Sequence, residues 1–175
     1  MKKSDITKMP DYYDRYINLV EDIELLDAFD KSLEQIQQID MEQLLLLGNR
    51  VYAPEKWTIK QIIQHITDTE RVFTERTTRF ARQDGVTPQG FDENLFAENA
   101  KVDHRTLESL LNEMKAVRLA SRAMFEGFDD ETIQNSGNNY NKEMSVLAMG
   151  YTMIGHQIHH FNIINERYLP LLLQG

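Results

Sequence analysis

The stretch KEMSVLAMGYTMIGHQIHHFNIINERY, Lys142 to Tyr168, decides the fold. It contains no proline, Asn141 stands before it as a candidate cap, and Pro170 follows just beyond it, so a helix can run its whole length. At 3.6 residues per turn His156 and His160 fall about 40° apart, in one stripe with Met149, Met153 and Ile163. His159 falls on a polar flank with Thr152, Asn162 and Glu166. A second apolar arc, Leu147, Ile154, Ile158 and Phe161, occupies the opposite side. A helix apolar on two sides is buried on both, or presents one of them to a second subunit.

Three more segments share this period. The first, about Asp22 to Ile39, aligns Leu25, Phe29, Leu33 and Ile36, with a shorter helical lead-in over Asp11 to Leu19. The second, about Thr58 to Gln83, opens on Thr58-Ile59-Lys60-Gln61, a capping box, and carries Ile59, Ile62, Ile66, Phe73 and Phe80 on one arc. The third, about Asp103 to Glu126, has Asp103 as a candidate cap, Leu107, Leu110, Leu111, Met114, Val117 and Met124 facing inward, and Gly127 as a stop. No segment alternates as a strand does, so the expected class is all-α, a four-helix bundle in one domain over 1–175. Between the second and third segments lie the residues Asp84 to Val102, too many for a tight antiparallel connection. They suit a crossover between parallel helices, giving an up-down-down-up bundle.

The chain of 175 residues carries 28 acidic and 19 basic side chains, a net charge of −9. That balance opposes tracking of nucleic-acid phosphates. The basic run Arg71, Arg76, Arg79 and Arg82 reads as solvated helix surface. Cysteine is absent, which excludes disulfides, thiolate metal sites and a cysteine nucleophile. No apolar run near Met1 suits a secretory signal and none elsewhere is long enough to span a bilayer, so a soluble cytoplasmic protein is expected.

Any transition-metal site must therefore draw on five histidines: His65, His104, His156, His159 and His160. His156 and His160, i and i+4 in an apolar stripe, would each need a separate polar partner, or could share a metal ion. His65 lies about 10 Å along the second segment, and the pair lies about 12–18 Å from the end of the fourth. The levels match only if those helices are antiparallel. That is the arrangement a crossover produces. The pair is not a zincin motif, because Gln157 follows His156 where a general base would stand. Three imidazoles leave an open coordination position. Asp68, three residues after His65, is a candidate to orient an imidazole or a metal-bound water; a solvated carboxylate is its other reading. His104 reads as an exposed residue near a helix cap.

Lys56-Trp57-Thr58-Ile59-Lys60-Gln61-Ile62-Ile63-Gln64-His65, then Asp68-Thr69-Glu70-Arg71, Arg79-Phe80-Ala81-Arg82 and Gly155-His156-Gln157-Ile158-His159-His160, resembles the DinB-like superfamily, the DinB/YfiT-like proteins. The resemblance spans about Leu19 to Leu169. It implies an up-down-down-up bundle, a homodimer, and a metal held by His65, His156 and His160 but not His159. The ion would be divalent: nickel or zinc first, manganese or iron as further choices. Enzymes of this kind include thiol-dependent transferases using bacillithiol or mycothiol and a maleylpyruvate isomerase. The transferases carry Asp-Ser-His where this chain has Asp68-Thr69-Glu70. The resulting expectation is a metal-dependent hydrolase or thiol S-transferase acting on a small electrophile, with a bacillithiol-type cosubstrate and Asp68 assisting. The alternative is a non-catalytic, stress-associated (DNA-damage-inducible type) binding or scaffold protein whose metal is structural or absent.

Overall fold

The computed structural model describes Met1–Leu173. Its helices are α1 (Asp14–Ile17), α2 (Leu25–Gln37), α3 (Met41–Leu47), α4 (Ile59–Arg82), α5 (Glu93–Asn99), α6 (Leu107–Glu126) and α7 (Val146–Ile163). A two-stranded antiparallel ladder, β1 (Ser136–Asn139) and β2 (Lys142–Ser145), precedes α7. The long helices are α2, α4, α6 and α7; they form the helical bundle. Among the described residues no helix is long and apolar enough to cross a membrane.

Local chemistry sets the ends of these helices. Thr58 and Gln61 form the capping box of α4, the Gln61 side chain accepting from the Thr58 N–H at 2.8 Å. Gly127 closes α6. Two caps differ from expectation. Thr106, not Asp103, caps α6, because Asp103 is taken up in the short 3₁₀ turn Val102–His104. Ser145, not Asn141, caps α7, accepting from the Ala148 N–H at 3.1 Å. Lys142–Ser145, read as helix, is strand β2. Tyr140 and Asn141 both have positive φ (53° and 63°), the requirement of a two-residue type I′ hairpin turn. The absence of strands was thus a wrong expectation.

Contacts between the long helices follow ordered rows. Along α4 and α6 the pairs Glu70–Arg118 and Thr74–Ser121 ascend both helices together, and Gln64 meets Arg105 just before α6 begins. Between α2 and α6 the order reverses, Asp30 meeting Arg122 and Ser32 meeting Arg118. Along α2 and α7 it runs forward again, with Leu25 against Gly150 and Ser32 against Gln157. Between α4 and α7 it reverses: the His65 ring meets that of His160 at 4.8 Å, and Phe73, further along α4, meets His156 at 6.3 Å.

Two apolar clusters result. One gathers Phe29, Phe73, Phe125, Leu147 and Tyr151; the other gathers Ile59, Ile63, Leu110, Met114 and Tyr168. α7 is buried on nearly every side within one chain. His156 and His160 lie on α7 between Ile154 of the first cluster and Ile164 of the second.

Candidate metal centre

At that border three imidazoles converge. His65 from α4 and His156 and His160 from α7 are all buried, and their ligand nitrogens lie within 4.8 Å of one another. His156 Nε2 is 3.2 Å from His65 Nε2 and 3.1 Å from His160 Nε2. A neutral imidazole nitrogen carries either one proton or one lone pair. His156 Nε2 therefore cannot make two good hydrogen bonds to nitrogens of this kind at once. A cation shared by all three lone pairs resolves the conflict. Nitrogens about 2.0–2.1 Å from one ion stand roughly 3.0–3.4 Å apart near tetrahedral angles, which accommodates the observed spacings. The residues present fit a divalent metal.

Electrostatics favour the same occupant. Burial pushes His65 down to about 4 and His160 to about 2, and pushes His156 well below the ordinary range. Neighbouring imidazoles push in the same direction. Neutral imidazole is the form that ligates.

The walls come from three places. Trp57 lies against His65, with ring centroids 4.6 Å apart, and more distantly against His160 at 6.3 Å. Tyr16 of α1 meets His156 edge-on at 5.3 Å, and Phe73 approaches it at 6.3 Å. Tyr16 reaches this place because residue 155 is glycine: a Cβ there would collide with the Tyr16 backbone carbonyl. On one side of the triad, a cavity of about 580 Å³ opens onto His156, walled by Tyr12, Tyr13, Tyr16, Phe73 and Phe91. On the other, a smaller cleft reaches His160 past Trp57 and Tyr168.

The residues singled out in the sequence separate clearly. His65, His156 and His160 come together. His159 is half-buried with its ring 5.3 Å from that of Tyr16, and His104 is exposed, with its Nδ1 2.8 Å from the Lys101 carbonyl. Asp68 is turned toward the α6 side. Its Oδ1 accepts from Gln64 Nε2 at 2.9 Å and Arg71 Nη1 at 3.2 Å, and Arg71 continues to Glu113 of α6 at 2.7 Å. The group near His65 Nδ1 is Thr69 Oγ1, at 3.5 Å. A residue four positions on stands above a helical side chain more directly than one three positions on, which a wheel could have signalled. The basic run is not uniform either. Arg71 and Arg82 are exposed, but Arg76 is buried in the cavity wall. It lies about 20° from His65 on the wheel, a signal outweighed by the habit of assigning arginine to solvent.

Comparison with known proteins agrees with this geometry. No match is found among curated protein sequences. YfiT from Bacillus subtilis, described as a probable metal-dependent hydrolase with an unusual four-helix bundle topology, superposes with a TM-score of 0.67. It is 16% identical, over 93% of this chain and 87% of YfiT, so it establishes the shared fold. The model of the DinB superfamily matches residues 24–164, a span that begins before α2 and contains all three converging histidines. The chain belongs to the DinB superfamily.

Proposed function

We propose that the protein is a metal-dependent enzyme in which His65, His156 and His160 hold one divalent transition ion, nickel or zinc foremost. The observation that carries this reading is the meeting of three buried imidazoles, His156 Nε2 lying 3.2 Å from His65 Nε2 and 3.1 Å from His160 Nε2, with no carboxylate among them. The description of YfiT as a probable metal-dependent hydrolase supports it by analogy. When bound, such an ion supplies Lewis-acid activation of water or of an external low-molecular-weight thiol. Hydrolysis, or S-transfer from a bacillithiol-type cosubstrate, onto a small electrophile is the reaction class. With no cysteine in the chain, any thiol comes from outside.

The chain's own residues divide the remaining work. Thr69, with Oγ1 3.5 Å from His65 Nδ1, is the neighbour placed for the orienting role read for Asp68. Asp68 acts at one remove, bracing α4 on α6 through Arg71 and Glu113. Tyr16, Trp57 and Phe73 exclude water from the imidazoles and present an apolar wall to the substrate. The contact rows between long helices support the up-down-down-up order, in which α4 and α6 are parallel and the segment between them crosses the bundle. A cytoplasmic homodimer is part of the same reading.

Turnover separates this from a non-catalytic binding or scaffold protein. Protein loaded with nickel, zinc or manganese is assayed on an aryl ester, and on a haloaromatic electrophile with and without added thiol. Metal-dependent turnover abolished by His160→Ala is the expected result. Bound metal without turnover of either substrate would favour the scaffold.

A further inference from the structure

A second unsatisfied polar group belongs to a residue in the wall of the same cavity. Arg76 is 3% exposed, yet no carboxylate pairs with it among the described residues. Its Nη1 donates to Asn139 Oδ1 at 2.6 Å and its Nη2 to the Gln89 carbonyl at 2.8 Å, and both acceptors are neutral. Its Nε–H has no acceptor. A guanidinium offers five N–H donors and stays charged, so an unpaired one in a protein wall is costly unless something supplies the anion. Burial weakens its hold on its proton, which is the expected mark of that cost. The other buried arginine, Arg118, shows the paired condition, with Glu70 across it at 2.8 Å.

Arg76 is held in place from two directions. Asn139 lies in the hairpin before α7, and Gln89 lies in the segment that leads into α5. Gly90, next along, lies against the Tyr140 ring so closely that a Cβ would not fit. The guanidinium is therefore fixed, as a recognition group needs to be. Lys142, whose Nζ is 3.8 Å from Asp11 Oδ2, also lines the cavity, and so does the exposed carboxylate of Glu93.

We infer that this cavity takes a small molecule bearing a carboxylate, and that Arg76 is the residue that recognises it. The inference rests on the reading of the site as an enzyme only in naming the bound molecule a substrate. The volume, about 580 Å³, suits a small organic ligand. Phe73, beside His156, precedes Arg76 by about 4.5 Å of helical rise. The ligand's anionic end is thus held about one turn of α4 beyond Phe73, the residue that meets His156, and about 16 Å of helical rise from His65. Its apolar body lies along Phe73 and the tyrosines. Arg76 sets specificity and orientation; it does not touch the reacting atoms.

The test reads the Arg76 Nε–H resonance directly, in full-length ¹⁵N-labelled protein, its assignment fixed by its disappearance in Arg76→Lys. Hexanoate is titrated against hexanamide, with metal bound and again after chelation. A saturable shift with hexanoate and none with hexanamide is expected in both preparations, and Arg76→Lys should weaken hexanoate binding by about tenfold or more. No saturable shift, an equal shift with the amide, or undiminished affinity in a folded Arg76→Lys would overturn the inference. If that variant does not fold, the wild-type titration decides alone. Metal content measured on the same samples keeps the two readings apart: a shift without metal removes only the metal, and metal without a shift removes only the carboxylate.

Discussion

Two polar clusters are buried among the long helices, and they are built on opposite terms. Around Arg118, 0% exposed, every donor nitrogen has a partner: Glu70 takes a two-pronged grip on Nε and Nη2, and Nη1 donates to Ser32 Oγ at 2.6 Å. Nη2 also reaches the Met153 carbonyl at 3.3 Å, so the cluster ties α2, α4, α6 and α7 together. Around His156, by contrast, nitrogens of one kind point at one another and cannot all be satisfied. Glu70 lies five residues from His65 on the same helix, so the difference does not come from where the fold can bury charge. A satisfied cluster is complete and structural; a converging, unsatisfied one waits for a ligand.

Removing one member from each side tests that contrast. Glu70→Ala strands the Arg118 cation in the core and should cost about 3–5 kcal/mol of unfolding free energy. Urea titration measures it; a loss below about 1 kcal/mol would mean that the cluster does not hold the helices. The triad should instead respond to acid. In metal-free protein the imidazoles stay neutral when folded, with His65 at about 4, but titrate near 6.5 when unfolded. The unfolded state then binds more protons below 6.5, so stability is full above that pH and falls as pH drops toward 4. For His65 alone the loss is on the order of 3 kcal/mol across that window. Flat stability between pH 7 and 5 would contradict the neutral, buried triad.

Gly155→Ala sharpens the comparison from the side of the wall. The added methyl meets the Tyr16 carbonyl, so α1 must move off α7, at a cost of about 1–3 kcal/mol typical of overpacking. Because Tyr16 covers His156 and not the Arg118 cluster, His156 should become more accessible while Glu70 and Arg118 remain paired. Histidine NMR titration checks this, and an unchanged His156 would argue that Tyr16 is no part of the site.

Much of this was legible beforehand because it rests on period and punctuation. The capping box at Thr58, the stop at Gly127 and the stripe joining His156 to His160 each follow from local rules, and the level of His65 followed from helical rise. Less was legible where tertiary context overrode local rules. β1 is Ser136-Gly137-Asn138-Asn139, polar throughout and without alternation, and β2 runs into the helical pattern of α7, so the hairpin gave no signal. Met41–Leu47 forms its own helix, α3, in a stretch to which no helix was assigned. Arg76 was assigned to solvent by residue type, although its position on the wheel put it in line with His65.

The central claim is that the triad holds metal, and metal content decides it most directly. Protein purified without a histidine tag and analysed by elemental mass spectrometry should carry about one divalent transition ion per chain, and His160→Ala, still folded, should carry almost none. Equal metal in the two proteins, or none in either after growth with nickel and zinc supplied, would contradict the account.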